Sequence, residues 1–170
     1  MHFLLSAVVA ALLVGSSCTT PAIEASAPVR GSPSPAASTP SPPANARQVR
    51  VVRVVDGDTL VLDGVGRARL IGIDTPEVHG KSQCLGREAS AHTERLLGDR
   101  ALVAFDVDPV DRYGRALVYV WSKGAFLNAT LVADGFALPM TVPPNVRYAE
   151  LFVELAARAR EAQRGLWKVC

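Results

Sequence analysis

The 170-residue sequence has little net charge, few cysteines and no apolar run long enough to cross a bilayer. Its formal net charge of +2 is small for a protein that binds polyanions over its whole surface, so any contact with nucleic acid should be a local site. Three cysteines, Cys18, Cys84 and Cys170, are too few and too widely spaced to indicate a zinc cluster. The apolar run at residues 3–14 is too short to span a membrane.

That N-terminal run is typical of a signal peptide. It is followed by the small residues Gly15, Ser16 and Ser17, which resemble a cleavage site. Small residues leading directly into Cys18 also resemble a bacterial lipoprotein signal, in which this cysteine carries the lipid. Residues 1–18 therefore predict an exported protein, which is either a cell-envelope lipoprotein anchored to the membrane through Cys18 or a freely secreted protein.

Residues 19–47 are rich in Pro, Ala and Ser and contain few large apolar side chains. Such a segment cannot bury enough surface to offset the entropy lost on ordering, so we expect a flexible, disordered linker. Residues 48–170 form the remaining unit, which is long enough for one hydrophobic core and too short for two sizeable domains.

The pattern of residues 48–170 predicts five strands and three helices. The strands are expected at residues 51–55, 60–62, 68–73, 101–107 and 116–121, and the helices at residues 88–97, 126–133 and from Tyr148 to Ala162. Residues 139–144 contain three prolines and should be irregular. This order favours an α+β fold, a five-stranded OB-type β-barrel with helical additions.

Charged residues accumulate at the predicted strand ends. They are Asp56-Gly57-Asp58-Thr59, Arg69, Asp74-Thr75-Pro76-Glu77 and Asp111-Arg112-Tyr113-Gly114-Arg115. Each piece alone has a simpler explanation as a turn or a helix start. Together they form a coherent site: two carboxylates with a backbone carbonyl suit calcium, a third carboxylate can orient or deprotonate water, and two arginines can bind a phosphate.

These pieces, in this order, resemble the staphylococcal nuclease (thermonuclease) family. The similarity continues through Gly86-Arg87-Glu88-Ala89-Ser90, residues 128–135 and Gly165-Leu166-Trp167, and it covers about residues 48–168. The five-residue spacing from Arg69 to Asp74 and the complete Tyr-Gly-Arg turn are both kept.

The resemblance implies a role for each matching residue. Asp58 and Asp74 match the calcium carboxylates, Thr75 matches the residue that lends its backbone carbonyl, and Asp56 matches an acidic residue that acts through water. Glu77 matches the general base or water-positioning group. Arg69 and Arg115 match the pair that binds the phosphate, and Arg112 and Tyr113 match residues that contact a terminal phosphate.

The function implied is that of an exported, calcium-dependent, monomeric endonuclease that hydrolyses DNA and/or RNA to 3′-phosphate products. The alternatives are a catalytically impaired nucleic-acid-binding module, which we would expect to lack Glu77 or one Asp, and a structural lipoprotein, which does not explain the charged set.

Two features depart from the family pattern. Residues 140–144 lack the aromatic side chains that flank the substrate in the family's type enzyme, so we expect weaker substrate binding or a different base platform. Cys84 is additional, and if Cys18 is lipidated, Cys84 and Cys170 remain as a possible disulfide pair; two unpaired thiols are the alternative.

Overall fold

Eight strands and four helices make up the part of the chain that the structure describes. The structure, a computed structural model, describes residues 39–78, 80 and 83–170. The strands are β1 Arg47–Asp56, β2 Thr59–Leu62, β3 Gly66–Leu70, β4 Ile73–Asp74, β5 Arg100–Ala104, β6 Ala116–Ser122, β7 Ala125–Phe126 and β8 Leu138–Pro139. The helices are α1 Gly86–Leu96, α2 Leu127–Ala133, α3 Ala149–Glu161 and α4 Leu166–Val169.

A closed five-stranded barrel forms the centre of the fold. β1 pairs antiparallel with both β2 and β5, β2 pairs with β3, and β5 pairs with β6. β3 and β6 then pair in parallel, with Leu70 opposite Val118, and this pairing closes the ring. Closing a sheet on itself removes the unpaired edges that an open sheet would expose. The OB-type barrel predicted from the sequence is therefore confirmed.

The barrel interior and one end are filled by apolar side chains. Leu60 and Val118 inside the barrel are fully buried, and such residues each stabilise the fold by about 1.5–3 kcal/mol. At the end of β6, the rings of Trp121 and Phe126 stack with centroids 4.5 Å apart, and Tyr148 meets Phe126 edge-on at 4.9 Å. These rings connect the barrel to α2 and to the start of α3.

The three predicted helices are present, and α4 is an additional single turn. α3 buries Phe152, Ala156 and Ala159 on one face, as its amphipathic pattern predicts. Phe152 packs against the main chain at Gly72, where an added Cβ would lie 2.5 Å from the ring. Gly72 also has φ +80°, which glycine adopts without strain, so no other residue fits this contact well.

The third predicted strand, residues 68–73, is divided in the structure. β3 ends at Leu70, the chain turns at Gly72, and Ile73 begins β4, which pairs with Pro139 of β8. Met140 N donates a hydrogen bond of 2.8 Å to Gly72 O and continues this contact. The division pairs Asp74 with Leu138 and brings residues 138–140 alongside β4. The start of the segment predicted to be irregular is therefore paired.

The signal peptide, Cys18 and the linker up to residue 38 lie outside the described residues. Of the remaining linker residues, Pro40 accepts a 2.7 Å hydrogen bond from Trp121 Nε1, and Arg47 opens β1. No helix in the described ranges is both long and apolar enough to cross a membrane.

Candidate active site

The turn between β1 and β2 presents Asp58 at one end of the barrel. Asp58 N donates to Asp56 Oδ1 over 3.3 Å within this turn. Gly57 lies against Thr75, because a Cβ at residue 57 would come within 2.6 Å of Thr75 Oγ1. From α1, Thr93 Oγ1 donates a 2.7 Å hydrogen bond to Gly57 O. The turn is therefore held from two sides, which orients Asp58.

Asp58 connects the β1–β2 turn to the segment after β4. Its side chain is buried, and its Oδ2 accepts a 2.8 Å hydrogen bond from Thr75 N. Its Oδ1 accepts from Thr59 Oγ1 at 3.2 Å and also contacts Arg69 Nη1. Burying a carboxylate is costly unless hydrogen bonds or a cation compensate it, and Asp58 has both kinds of partner.

Arg69 lies between two carboxylates. It stands opposite Thr59 in the β2–β3 register, and its guanidinium contacts Asp58 through Nη1. Its Nη2 lies 2.6 Å from Asp74 Oδ1 and 3.3 Å from Ile73 O. The Asp74 side chain is 52% exposed, whereas Asp58 is 5% exposed. The two carboxylates that the sequence predicts as metal ligands therefore both contact the Arg69 guanidinium.

The oxygen atoms around the Arg69 guanidinium are also of the kind that binds a hard metal ion. Asp58 and Asp74 supply carboxylate oxygens, and Thr75, whose N–H binds Asp58, carries the predicted carbonyl ligand. Oxygen ligands of this kind are those that calcium prefers. Within residues 39–78, 80 and 83–170, no group of three or more His, Cys, Asp or Glu side chains is arranged to hold a metal. A calcium ion here would depend on two carboxylates, a carbonyl and water.

Glu77 follows this pair with an exposed side chain and a fixed main chain. Its N–H donates a 3.0 Å hydrogen bond to Gln83 Oε1, and its carbonyl accepts one of 3.0 Å from Gln83 N. Gly86 packs against the same carbonyl, since an added Cβ would lie 2.5 Å from Glu77 O. The carboxylate can therefore meet solvent water while its backbone stays in place.

The turn before β6 fixes Arg115. Asp111 Oδ1 accepts hydrogen bonds of 2.9 Å from the main-chain nitrogens of Tyr113 and Arg115, and Arg115 Nε donates to Asp111 Oδ2 at 2.7 Å. Burial raises the pKa of the Asp111 carboxyl, but the hydrogen bonds from Arg115 and Tyr113 outweigh burial and hold that pKa below its ordinary value of 3.8. The sequence predicts Arg115 as a phosphate ligand, and Asp111 orients it.

Arg112 and Tyr113 form the exposed end of the same turn. Arg112 Nη2 donates a 2.6 Å hydrogen bond to Tyr113 OH, and the Arg112 guanidinium lies 4.8 Å from the Tyr113 ring centroid. Arg115 lies 5.4 Å from the same ring. Tyr113 is 67% exposed, so its ring and hydroxyl can contact a ligand.

Four of the predicted site residues share one cleft of about 470 Å³. It is lined by the polar residues Arg69, Arg112, Tyr113 and Arg115 and by an apolar wall, which consists of Met140, Val142, Pro143 and Pro144. Asp58, Asp74 and Glu77 do not line this cleft, although Arg69 touches both aspartates. The three arginines therefore line one cleft, and Arg69 also contacts the two aspartates that do not line it.

Buried polar residues that sequence analysis did not identify support the apolar wall. Asn145 exchanges two 2.8 Å hydrogen bonds with the main chain of Asp108, 37 residues away in sequence. Asp106 accepts hydrogen bonds from Tyr119 OH at 2.9 Å and Arg147 N at 3.2 Å. Burial, and then this bond to Asp106, raise the pKa of the Tyr119 hydroxyl. These contacts join distant segments, so no local sequence pattern indicates them.

Comparison with known proteins relates the chain to nucleases. Residues 67–169 match the family model described as staphylococcal nuclease homologue. The chain is 38% identical over 125 residues to a thermonuclease of Staphylococcus intermedius, covering 69% of this chain and 74% of that protein. It is 35% identical over 131 residues to a thermonuclease of Staphylococcus hyicus, covering 73% and 78%.

A more distant relative is a prophage-derived endonuclease of Bacillus subtilis (strain 168), which is 32% identical over 128 residues, covering 70% of this chain and 43% of that protein. The family match extends from β3 to α4 and includes Arg69, Asp74, Glu77 and Arg115. The chain therefore belongs to the staphylococcal nuclease family.

Proposed function

We propose that the chain is an exported, calcium-dependent endonuclease that hydrolyses phosphodiester bonds in DNA and/or RNA to 3′-phosphate products. Membership of the staphylococcal nuclease family makes it a nuclease, a phosphodiester hydrolase. One observation carries the finer proposal: Arg69 lines the same cleft as Arg115 and also touches Asp58 and Asp74. A phosphate in the cleft would then lie next to the two carboxylates.

Asp58, Asp74 and the Thr75 carbonyl are the residues that would hold calcium. The fit rests on their oxygen chemistry and on the guanidinium of Arg69, which shows that a positive group is accommodated between both carboxylates. When bound, calcium supplies charge neutralisation at a phosphate oxygen and a template for the substrate. The rest of the reaction belongs to the chain's own side chains.

We assign the action on water to Glu77, whose side chain is exposed. In the proposed step its carboxylate accepts a proton from a water molecule, or orients that molecule, while the water oxygen forms a bond to phosphorus. The bond between phosphorus and the 5′ oxygen breaks, and that oxygen takes up a proton to become a hydroxyl. The phosphate remains on the 3′ oxygen, which yields the proposed product.

The arginines stabilise the charge that develops during this step. Arg69 and Arg115 present planar donor groups that match the geometry of phosphate oxygens. Asp111 binds the Nε atom of Arg115, which leaves the two terminal guanidinium nitrogens of Arg115 for the substrate. In this proposal Arg115 also assists the leaving oxygen, and Arg112 and Tyr113 would contact a terminal phosphate at the exposed end of the cleft.

The base of the substrate would meet an apolar wall rather than an aromatic platform. Met140, Val142, Pro143 and Pro144 form this wall, and among the described residues Tyr113 supplies the only aromatic ring that lines the cleft. Stacking on an aromatic side chain is worth about 1–3 kcal/mol per base. We therefore propose that this enzyme binds the phosphates of its substrate more strongly than the substrate's bases.

Export and anchoring are proposed from the first 47 residues of the sequence. Residues 1–18 would direct export, and residues 19–47 would separate the nuclease domain from a lipid on Cys18. Expression of the full chain and of Cys18→Ser in a bacterium, followed by detergent phase separation, tests the anchor. Partition of both proteins into the aqueous phase would indicate free secretion.

The activity is tested by incubating the purified chain with plasmid DNA and with RNA in calcium, in magnesium and in chelator. We expect cleavage in calcium and none in chelator, with 3′-phosphate ends on the products. Activity that survives chelation would remove the metal from the proposal. A Glu77→Gln variant should lower kcat by roughly 10²–10⁴-fold, as expected for loss of a general base. Binding without cleavage by the parent chain would favour a nucleic-acid-binding module.

A further inference from the structure

Among the described residues, Gln83 forms hydrogen bonds with both main-chain polar groups of Glu77. Gln83 Oε1 accepts the 3.0 Å hydrogen bond from Glu77 N, and Gln83 N donates a 3.0 Å bond back to Glu77 O. Gln83 O then accepts a 3.1 Å bond from Gly86 N, which lies where α1 begins. Gln83 therefore connects the residue proposed as general base to the first residue of α1.

Cys84, the next residue, is joined to the end of the chain. It forms a disulfide bond with Cys170, and the two Cα atoms lie 6.1 Å apart. Cys170 is itself held, because its N–H donates a 3.0 Å bond to Leu166 O, and Leu166 N donates a 2.9 Å bond to Gly135 O. The disulfide bond therefore connects the residue after Gln83 to the C-terminal segment, which is hydrogen-bonded to Gly135 just after α2.

The backbone between these contacts needs support. Leu85 has φ +62°, in the left-handed region that leucine rarely adopts. Such conformations persist where the surrounding structure enforces them. Here the enforcing contacts are the disulfide bond at Cys84 and the packing of Gly86 against Glu77 O.

We propose that Gln83 and the Cys84–Cys170 bond are positioning elements for Glu77, and that reducing this bond lowers the turnover of the enzyme. The inference rests on the proposed function, because it assigns the effect to Glu77. In the reduction, a dithiol gives two electrons and two protons to the disulfide; two cysteine thiols form and the dithiol becomes a disulfide. The nuclease would then be fully active only in an oxidising compartment, where such bonds persist.

The phosphate cleft should not share this dependence. Arg69 and Arg115 are positioned by β3 and by the Asp111 turn, and neither contacts Gln83 or Cys84 in the described structure. Displacement of the Glu77 carboxylate should therefore lower kcat and leave KM nearly unchanged. A small displacement of a catalytic group can cost up to about 10²-fold in rate, so we expect roughly a tenfold fall.

The test uses the full chain carrying Cys18→Ser, so that one pair of cysteines remains. Initial rates on a single-stranded oligonucleotide are measured with calcium before and after treatment with dithiothreitol, while circular dichroism reports whether the reduced protein is folded. We expect kcat to fall about tenfold on reduction with KM within twofold. In Glu77→Gln, reduction should cause no further loss, because the group that it displaces is already inactive.

Variants of Gln83 test the same inference in oxidised protein. Gln83→Met keeps the length of the side chain but removes its strong acceptor, and should lower kcat about as much as reduction. Gln83→Glu retains an acceptor for Glu77 N and should restore most of the rate. The matched control is Gln48→Met, at an exposed glutamine on β1 whose side chain binds only Arg100 among the contacts described; it should cleave like the parent.

The outcomes separate the two proposals. If the oxidised parent does not cleave at all, the proposed function fails. If it cleaves but a folded, reduced protein has the same kcat, the inference is overturned. If reduction unfolds the protein, Gln83→Met decides: an unchanged kcat overturns the inference, and a fall that Gln83→Glu repairs supports it.

Discussion

Replacing Arg69 by glutamine should destabilise the protein in the absence of calcium and strengthen its response to calcium. In the structure Arg69 is the cationic partner of both Asp58 and Asp74. Breaking a buried ion pair by removing one member costs about 3–5 kcal/mol, because the other charge is left uncompensated. Asp58 would keep its hydrogen bonds from Thr75 and Thr59, which reduces that cost. The exposed pair with Asp74 adds less than about 1 kcal/mol.

The expected loss is therefore about 3 kcal/mol in the free energy of unfolding, measured by urea denaturation in chelator. Calcium should recover much of this loss, because it would occupy the same two carboxylates. At a concentration of about 100 times its Kd, a ligand stabilises the folded state by about 2.7 kcal/mol. Isothermal titration should also show tighter calcium binding to Arg69→Gln than to the parent, since the competing guanidinium is gone.

Arg67→Gln is the matched control, because Arg67 is an exposed arginine two residues earlier on the same strand. It should change the free energy of unfolding by less than about 0.5 kcal/mol, with or without calcium. The reasoning would be refuted if Arg69→Gln were as stable as Arg67→Gln in chelator. It would also be refuted if calcium bound parent and Arg69→Gln equally, because Arg69 and calcium would then not share ligands.

Other perturbations test separate parts of the site. Arg115→Lys should lower kcat by about 10²–10³-fold in steady-state assays, because a lysine cannot keep both the Asp111 contact and the phosphate contact; an equal rate would place Arg115 outside the reaction. Val142→Tyr should add a stacking surface to the cleft and tighten oligonucleotide binding by about 1–3 kcal/mol in fluorescence titrations, and unchanged binding would show that the base does not reach this wall. Because the folded-state pKa of Asp111 lies below its ordinary value of 3.8, its carboxylate stabilises the fold above that value and this contribution is lost as pH falls through the folded pKa. The free energy of unfolding of Asp111→Asn, measured by urea denaturation, should therefore fall less steeply below about pH 4 than that of the parent. Equal slopes of unfolding free energy against pH would contradict this assignment.

Features that depend on neighbouring residues could be predicted from the sequence. The alternation at residues 116–121 and the turn at Asp56-Gly57-Asp58 indicated strands, and both lie in or beside strands of the barrel. The boundaries that were predicted less well depend on distant contacts. β3 ends at Leu70 because Gly72 turns the chain against Phe152 of α3, and no pattern within residues 68–73 contains that information.

The candidate site shows the same distinction between residues that the sequence indicates and contacts that only the fold creates. The identities of Asp58, Arg69, Asp74, Glu77 and Arg115 could be selected from residue type and order, and their roles remain proposals that the experiments above test. The residues that hold them were not selected. Gln83 binds the main chain of Glu77, and Thr93 binds the main chain of Gly57 beside Asp58; polar residues of these types are common on any surface.

By itself the sequence determined the family, the barrel and the chemical groups available for the reaction, because local patterning and motif order are properties of the chain. Only the tertiary structure decided how those groups are arranged. Arg69 is paired with Asp58 and Asp74, since the β2–β3 register and the turn at Gly72 bring all three together. The same packing joins Cys84 to Cys170 across 86 residues and brings the arginines and the apolar wall into one cleft. Those contacts depend on the positions of distant segments in space, which spacing along the chain does not specify.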